Sequence, residues 1–238
     1  MGLFDLFSKK GGQSAVQKLA PKVADKRGMA PDRWEAIQAL TKIDSEEAVE
    51  ALLVRFTFYV DPTITDQEEK DAVFNAIVAK GATSVAPLKR FIAKAESLSW
   101  PLKMLDRVLG EGEVLTLLLD MLGKMDTEYE RDPQRKLQIL AELETRHGPA
   151  VVTAVTPFLA DVHETARFHA VGAVLAQENA EEARPALADA LAREESMRIK
   201  ARILDGFGQR GWSVDPTRLV GRLPDAFSLD DAGVPHRH

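Results

Sequence analysis

Three glycines close to the C-terminal end match a pattern that binds dinucleotides. Gly206, Gly208 and Gly211 have the spacing G-x-G-x-x-G. A dinucleotide site requires a strand before the first glycine and a helix after the last one. Here a run with helical spacing precedes the glycines, so we predict that they end a helix. No cofactor is expected.

The histidines have the residue type of metal ligands but the wrong spacing. His163 and Glu164 begin like the zinc-binding helix H-E-x-x-H, yet Arg167 stands where the second histidine belongs. His169 follows His163 by six residues, so the two do not share a helical face. His236, like His238, is close to the end of the chain and could bind metal only adventitiously. We predict no metal site.

Acidic and aromatic residues are the remaining candidates for catalysis or for nucleic-acid binding. Glu111, Glu113 and Asp120 could form an acid–base set, but their spacing favours a solvated helix face. The tryptophans stand at the ends of predicted helical units, which favours packing over base stacking: Trp34, Trp100 and Trp212. Cysteine is absent, which excludes disulfides and thiolate chemistry. No catalytic residue is predicted.

Residues 32–58 show which elements would hold these side chains. Apolar residues recur at helical spacing in two runs, 36–43 and 49–56, with a short polar link between them. This pattern predicts a helical hairpin. One hairpin cannot bury both of its apolar faces, so it requires neighbours. Similar pairs of runs follow to about residue 212.

A basic residue marks the first helix of each predicted unit. The spacings are 37, 33, 32, 32 and 31 residues for the series Arg33, Lys70, Lys103, Arg135, Arg167 and Arg198. Because the series is in register with the apolar runs, it indicates a repeat. We predict an all-α fold, a right-handed α-solenoid of about five to six helical hairpins.

Side chains that could cap helices mark several of the predicted starts. Asp32 and Thr65 are each followed by a glutamate three residues on, the capping-box pattern. Ser45 and Asp132 are further predicted N-caps, the latter followed by a proline.

The repeat units resemble HEAT repeats of the short bacterial kind, including the phycobilin-lyase type. The residues that carry the resemblance are RWEAIQAL at 33–40 and RFHAVGAVL at 167–175. It extends over about residues 32–212, and the third and fourth units depart from it because leucine and methionine replace small residues. The resemblance implies paired antiparallel helices stacked in a right-handed superhelix and says little about activity. Tetratricopeptide repeats are the competing interpretation, but their characteristic residues are absent.

Charge is unevenly distributed along the 238 residues. The formal net charge is −6; residues 1–30 carry six basic and two acidic residues, so the remainder carries −10. An acidic body argues against nucleic-acid binding. No apolar run approaches the roughly 18 residues of a membrane span, and the start is not a secretory signal, so a cytoplasmic location is expected.

The chain is predicted to have three parts: a basic amphipathic arm or cap (1–30), the solenoid (31–224) and a flexible C-terminal tail (225–238). Four apolar residues in the arm could dock on a partner or fold back on the first hairpin: Leu3, Phe4, Leu6 and Phe7. Weak contact of this arm with an anionic surface is a further possibility.

We expect a non-enzymatic scaffold that binds an unidentified protein or peptide on its concave face, which the second helices would line. The polar residues predicted there are Glu46, Glu47, Glu50, Lys89, Arg90, Lys94, Asp120, Thr153, Thr156, Asp189 and Arg193. The alternatives are a lyase or chaperone-like subunit of the phycobilin-lyase type, which would require a chromophore and a partner subunit, and a HEAT-like DNA glycosylase, which the acidic body disfavours.

Overall fold

The computed structural model describes residues 15–219 and 223–238, and most of them are helical. The α-helices are α1 (residues 15–24), α2 (Ala30–Thr41), α3 (Glu46–Leu53), α4 (Thr63–Ala79), α5 (Ala82–Ile92), α6 (Ser99–Leu109), α7 (Glu111–Leu122), α8 (Gln134–Leu143), α9 (Pro149–Val155), α10 (Glu164–Leu175), α11 (Arg184–Arg193) and α12 (Met197–Arg210). Short 3-10 helices span Val54–Thr57, Thr156–Ala160, Ala180–Ala183 and Pro216–Arg218. The predicted all-α class is confirmed.

The chain divides into two compact units, residues 1–114 and 115–238. In the first unit, α2 packs against α4 and α4 against α6, while α3 packs against α5. First helices of successive hairpins therefore contact first helices, and second helices contact second helices. The core between them consists of aliphatic side chains: Ile37, Leu40, Leu52, Leu53, Val73, Ile77, Leu88, Ile92, Leu102 and Leu105.

The second unit repeats this arrangement. Helix α10 packs between α8 and α12, and α11 contacts the 3-10 segment that continues α9. Its core again consists mainly of aliphatic residues: Leu140, Leu143, Val152, Val155, Val171, Val174, Leu187, Leu191, Ile203 and Phe207. Aromatic residues make up only 6% of the chain, so branched aliphatic side chains supply most of the apolar area that drives packing.

Helix caps agree with the sequence in some places and not in others. The Ser45 side chain accepts a hydrogen bond from the Ala48 amide, as predicted, and Asp132 accepts one from Gln134. The prediction for Asp32 is wrong because α2 begins two residues earlier, with Pro31 in its first turn. The prediction for Thr65 is wrong because α4 begins at Thr63, after Pro62.

The described C-terminal residues contain two strands, so the expectation of a chain without a sheet is wrong there. Strand β1 (Phe227–Leu229) pairs antiparallel with β2 (Pro235–Arg237), within the stretch predicted as a flexible tail. Between them, the Asp230 carboxylate accepts hydrogen bonds from the amides of Ala232 and Val234. The sheet packs on α12, and Phe227 is buried. In the sequence, the one local sign of this hairpin was Asp230, a residue type that favours turns, and it stands in a short polar stretch.

Helix α1, within the predicted arm or cap, continues through Pro21 and buries Val16 and Val23. The apolar residues of the predicted arm, Leu3, Phe4, Leu6 and Phe7, lie outside the described residues. Among the helices in residues 15–219 and 223–238, none has both the length and the apolar character needed to cross a bilayer.

Candidate functional site

A cavity of about 480 Å³ lies at the C-terminal ends of the second helices α3 and α5. The residues that line it come from the end of the 3-10 segment after α3 and from the end of α5: Phe56, Thr57, Tyr59, Phe91, Lys94, Ala95, Glu96 and Ser97. Three aromatic rings provide apolar area, and one lysine and one glutamate provide charge. The volume is within the range of small-ligand and side-chain binding pockets. We call this feature the aromatic cavity.

Tyr59 is a strongly exposed residue of the aromatic cavity, with 85% of its surface accessible. Its ring nevertheless has a fixed contact underneath, because Lys70 Nζ lies 3.8 Å from the ring centroid. The neighbouring residues are held as well: Arg55 Nη1 donates to the Phe58 carbonyl at 3.1 Å, and the Val60 amide donates to Asp66 Oδ1 at 3.0 Å. Contacts with Arg55, Asp66 and Lys70 therefore fix the backbone on both sides of Tyr59 and one face of its ring.

The groups that fix this segment belong to a buried ion cluster of five residues: Arg33, Arg55, Asp66, Glu69 and Lys70. Glu69 Oε2 accepts from Arg33 Nε at 2.7 Å and from Arg55 Nε at 2.6 Å. Asp66 accepts from Arg55 Nη2 and from Lys70 Nζ, both at 2.7 Å. All five residues are at most 5% exposed, and the cluster contains three cations and two carboxylates.

Burial by itself would raise the pKa of the Asp66 carboxyl because a low dielectric disfavours the charged form. Hydrogen bonds from Lys70 and Arg55 outweigh burial and hold the pKa of Asp66 below its ordinary value of 3.8. The carboxylate is thus ionised at neutral pH and available to both cations.

The outer face of α3 and α5 carries the charges that the sequence analysis assigned to partner binding. Arg90 Nη2 lies 2.7 Å from Glu46 Oε2 and 2.8 Å from Glu50 Oε1, so these three residues pair with one another across the two helices. Lys89 and Glu47 are exposed on the same helices. Lys94 lines the aromatic cavity. The structure thus brings five of the six predicted residues of the first unit to α3 and α5, and the sixth, Lys94, follows the end of α5.

The remaining predicted residues belong to the second unit. Asp120 pairs with Lys124 at 2.6 Å, and Asp189 pairs with Arg218 at 2.8 Å. The Thr156 hydroxyl donates to the Val152 carbonyl within its own helical turn. Thr153 and Arg193 are exposed.

Two of the repeated basic residues, Arg33 and Arg167, form hydrogen-bonded ion pairs with glutamates that are distant in sequence. Arg167 forms two hydrogen bonds with Glu194, at 2.8 and 2.9 Å, and donates to the carbonyl of Asp161, just as Arg33 pairs with Glu69. Lys136, next to Arg135 on α8, is buried and lies 2.8 Å from Asp161 Oδ2. Basic residues on first helices therefore pair with carboxylates that are distant in sequence.

The glycines and histidines that could have formed a cofactor or metal site have structural roles instead. Gly206 and Gly208 lie inside α12, and Gly211, with φ 64°, ends it, so the described residues provide no dinucleotide loop. The ring of His163 caps α10 by accepting from the Thr165 amide, and His169 Nδ1 lies 2.5 Å from Glu144 Oε1. The described residues contain no group of three or more potential ligands that could hold a metal ion.

The aromatic cavity itself was not predicted. Trp100 was expected to pack between helical hairpins, and its ring lies 5.3 Å from that of Phe56 and 5.9 Å from that of Phe74.

In the sequence, the feature that could have indicated the cavity was the group of aromatic residues Phe56, Phe58 and Tyr59 after α3, because exposed aromatic residues are uncommon there. Its meaning depends on Phe91, which is distant in sequence.

Comparisons with protein-family models, with curated proteins and with solved structures gave no match to this chain.

Proposed function

We propose that this chain is a protein–protein interaction module without catalytic activity, and that the aromatic cavity is its anchor site. The observation that carries the proposal is an exposed tyrosine held in place by buried charges beside two further aromatic rings. Binding energy at interfaces is concentrated in a few aromatic and arginine anchors that fill pockets. A fixed tyrosine loses little conformational entropy when a partner contacts it.

We further propose that the helical pairs are HEAT-like repeats of a right-handed solenoid with five to six hairpins. Packing of first helices on first helices and of second helices on second helices supports this assignment. In such a solenoid the second helices line the concave surface. The outer face of α3 and α5 would then be part of that surface, and the aromatic cavity would lie at one end of it.

The charges around the cavity indicate what kind of partner fits. Arg90 is already paired with Glu46 and Glu50, so the charges left to attract a partner are mainly Lys89, Lys94 and the negative end of the α5 dipole. Charges at a rim chiefly alter association rate and salt dependence. The aromatic rings are therefore expected to supply affinity, and an apolar side chain next to a polar or charged residue is the expected ligand.

A displayed peptide library selected on the full chain tests this function. We expect the selected peptides to share one aromatic or large aliphatic residue. Tyr59→Ala should weaken their binding about 30-fold, which corresponds to the ~2 kcal/mol of an interface anchor. The matched control is Tyr129→Ala, because Tyr129 is 81% exposed and lies in the other unit.

The melting temperatures of both tyrosine variants should stay close to that of the parent chain, since both side chains are largely exposed. Selected peptides that bind the Tyr59→Ala variant as tightly as the parent, or that lose binding only with Tyr129→Ala, would contradict the assignment of the site. Failure to select any peptide from a diverse library would contradict the function itself.

A further inference from the structure

We infer that the end of α1 and the beginning of α2 form a surface that binds anionic lipid bilayers. Four exposed basic side chains supply its charge, and two exposed apolar side chains lie in the same short stretch of chain. The basic residues, called the basic patch from here on, are Lys18, Lys22, Lys26 and Arg27, and the apolar residues are Met29 and Trp34. The inference goes beyond the proposed function, because none of these residues lines the aromatic cavity.

The basic patch begins on the side of α1 that faces away from the core. Val16 and Val23 are buried and are seven residues apart, so they lie on one face of the helix. Lys18 and Lys22 are four residues apart on the opposite face, and both are exposed. Residues 15–24 contain no acidic side chain. The charged residues of this helix are therefore all positive.

The charge of the basic patch is available to a partner. In the part of the chain that the structure describes, none of its four side chains forms an ion pair. Asp25 is the only acidic residue among residues 15–31, and its carboxylate accepts a hydrogen bond from the Arg27 amide at 2.9 Å. Since residues 31–238 carry a net charge of −10, positive charge is concentrated at this end of the chain. An anionic partner is therefore expected here.

Two apolar side chains next to the basic patch are left in water. Met29 is 69% exposed and Trp34 is 40% exposed. Met29 follows Lys26 by three residues, so their Cα atoms are at most about 11 Å apart. Trp34 is in the second turn of α2, which begins at Ala30. Positive charge and apolar area are therefore combined in one part of the surface.

The loop that joins α1 to α2 is held by a member of the buried ion cluster. Arg33 Nη1 donates to the carbonyls of Asp25 and Gly28 at 3.3 and 3.0 Å. Its Nε atom donates to Glu69 at 2.7 Å. Residues 26 and 27 lie between the two carbonyls, so their backbone is fixed before any contact is made. Binding therefore requires little ordering of the chain.

An anionic bilayer would use both kinds of side chain. A basic residue near an anionic membrane increases partitioning about fivefold, and tryptophan prefers the interface between membrane and water. A nucleic acid would contact the lysines through its phosphates and would leave Met29 in water. Asp32 and Glu35 are exposed on α2 close to Trp34, so the contact is expected at the depth of the headgroups.

Flotation of the full chain with lipid vesicles tests the inference. We expect binding to phosphatidylcholine vesicles that contain about one third phosphatidylserine, and little binding to pure phosphatidylcholine. Lys18→Gln/Lys22→Gln should lower partitioning about 30-fold, which is the fivefold effect for each of two lysines. The control Lys42→Gln/Arg107→Gln removes the same charge from exposed positions of the same unit and should bind like the parent.

Fluorescence tests whether Trp34 enters the bilayer. Anionic vesicles with acyl chains brominated near the headgroup should quench part of the tryptophan fluorescence of the parent, and none of that of Trp34→Phe. Equal quenching of both would overturn the inference. Vesicle binding that Lys18→Gln/Lys22→Gln leaves unchanged would also overturn it, and would assign the binding to residues 1–14. Retention on immobilised heparin without flotation on anionic vesicles would overturn it in favour of a nucleic acid or an acidic protein.

Discussion

At the scale of single residues, the unusual feature is the amount of charge buried beneath Tyr59. An apolar core of the same volume is often as stable as a buried ion pair, so the cluster is not needed for stability alone. Its hydrogen bonds to the Phe58 carbonyl and the Val60 amide give it a second role, because they fix the segment that forms one wall of the aromatic cavity. Asp66 is central, since it contacts Arg55, Lys70 and Val60.

Removing the charge of Asp66 tests whether the cluster behaves as one buried unit. We expect Asp66→Asn to lower the free energy of unfolding by about 3–5 kcal/mol, because two buried cations lose a charged partner. Urea denaturation measures the change. The same substitution at Asp120, whose ion pair with Lys124 is largely exposed, is the control and should cost less than about 1 kcal/mol. Equal losses in the two variants would show that the cluster does not behave as a buried unit.

The other cluster at this scale joins three first helices in the second unit. Arg202 pairs with Glu144, donates to the Phe168 carbonyl at 3.0 Å and lies over the Phe168 ring. Gly172 makes the pair possible, because a Cβ at that position would lie 2.6 Å from Glu144 Oε2 and closer still to Arg202. A glycine inside a helix is therefore explained here by close approach of side chains from α8 and α12.

At the scale of elements, α12 shows how glycine spacing that resembles a binding loop can instead record packing. A Cβ on Gly206 would approach Leu175 of α10, and a Cβ on Gly208 would approach the carbonyl oxygen of Pro235 in β2. The first glycine thus allows two first helices to pack closely. The second glycine allows the C-terminal strands to lie directly on the helix.

Substituting the second of these glycines should loosen the strands. Gly208→Ala would bring a methyl group into the backbone of β2, and overpacking of this kind costs about 1–3 kcal/mol. A gain of about 1 kcal/mol in helix propensity offsets part of it. We expect net destabilisation in a urea titration and faster hydrogen exchange at the His238 amide, which bonds to the Ala226 carbonyl.

The comparison for this prediction is Gly112→Ala in α7, where the added Cβ meets nothing within 4 Å. There only the propensity gain remains, so stability should rise by up to about 1 kcal/mol. Destabilisation of both variants by a similar amount would rule out the contact with β2 as the cause.

At the scale of the whole molecule, carboxylates paired with cations determine how stability depends on acid. Burial opposes ionisation of Glu144 and Glu194, but hydrogen bonds from His169 and Arg202 to the former and from Arg167 to the latter outweigh it and lower both pKa values below 4.5. A lowered folded pKa contributes stability that is present above the unfolded pKa and is lost as pH falls through the folded one. With Asp66, such groups occur in both units.

We therefore expect stability to change little between pH 7 and about 5 from these groups, and to fall steadily below about pH 4.5. The double variant Glu144→Gln/Glu194→Gln should be less stable at pH 7 and should lose less on acidification, because part of the titrating difference is removed. Thermal unfolding as a function of pH measures both effects. Glu178→Gln, at an exposed position, is the control and should follow the parent curve. A double variant with the parent's acid dependence would contradict the assignment.

The sequence by itself determined the helices and their pairing in hairpins. Apolar residues at a period of 3.6 form one apolar face on each helix, and that face has to be buried against a neighbouring helix. It also located the apolar runs at 36–43 and 49–56, whose residues Ile37, Leu40 and Leu52 are buried, and the in-register basic residues Arg33 and Arg167. It placed five polar residues of the first unit, Glu46, Glu47, Glu50, Lys89 and Arg90, on two helices that lie side by side. These features depend on neighbours within a few turns of the chain.

Tertiary structure alone decided which charges remain available and where a cavity forms. Arg90 reaches Glu46 across 44 residues, and the aromatic cavity joins residues 56–59 with residues 91–97. Two strands of three residues each, β1 and β2, pack on α12 where Gly208 leaves room for the backbone of Pro235. Contacts of this kind depend on distances between side chains that are far apart in sequence, and no local period encodes them.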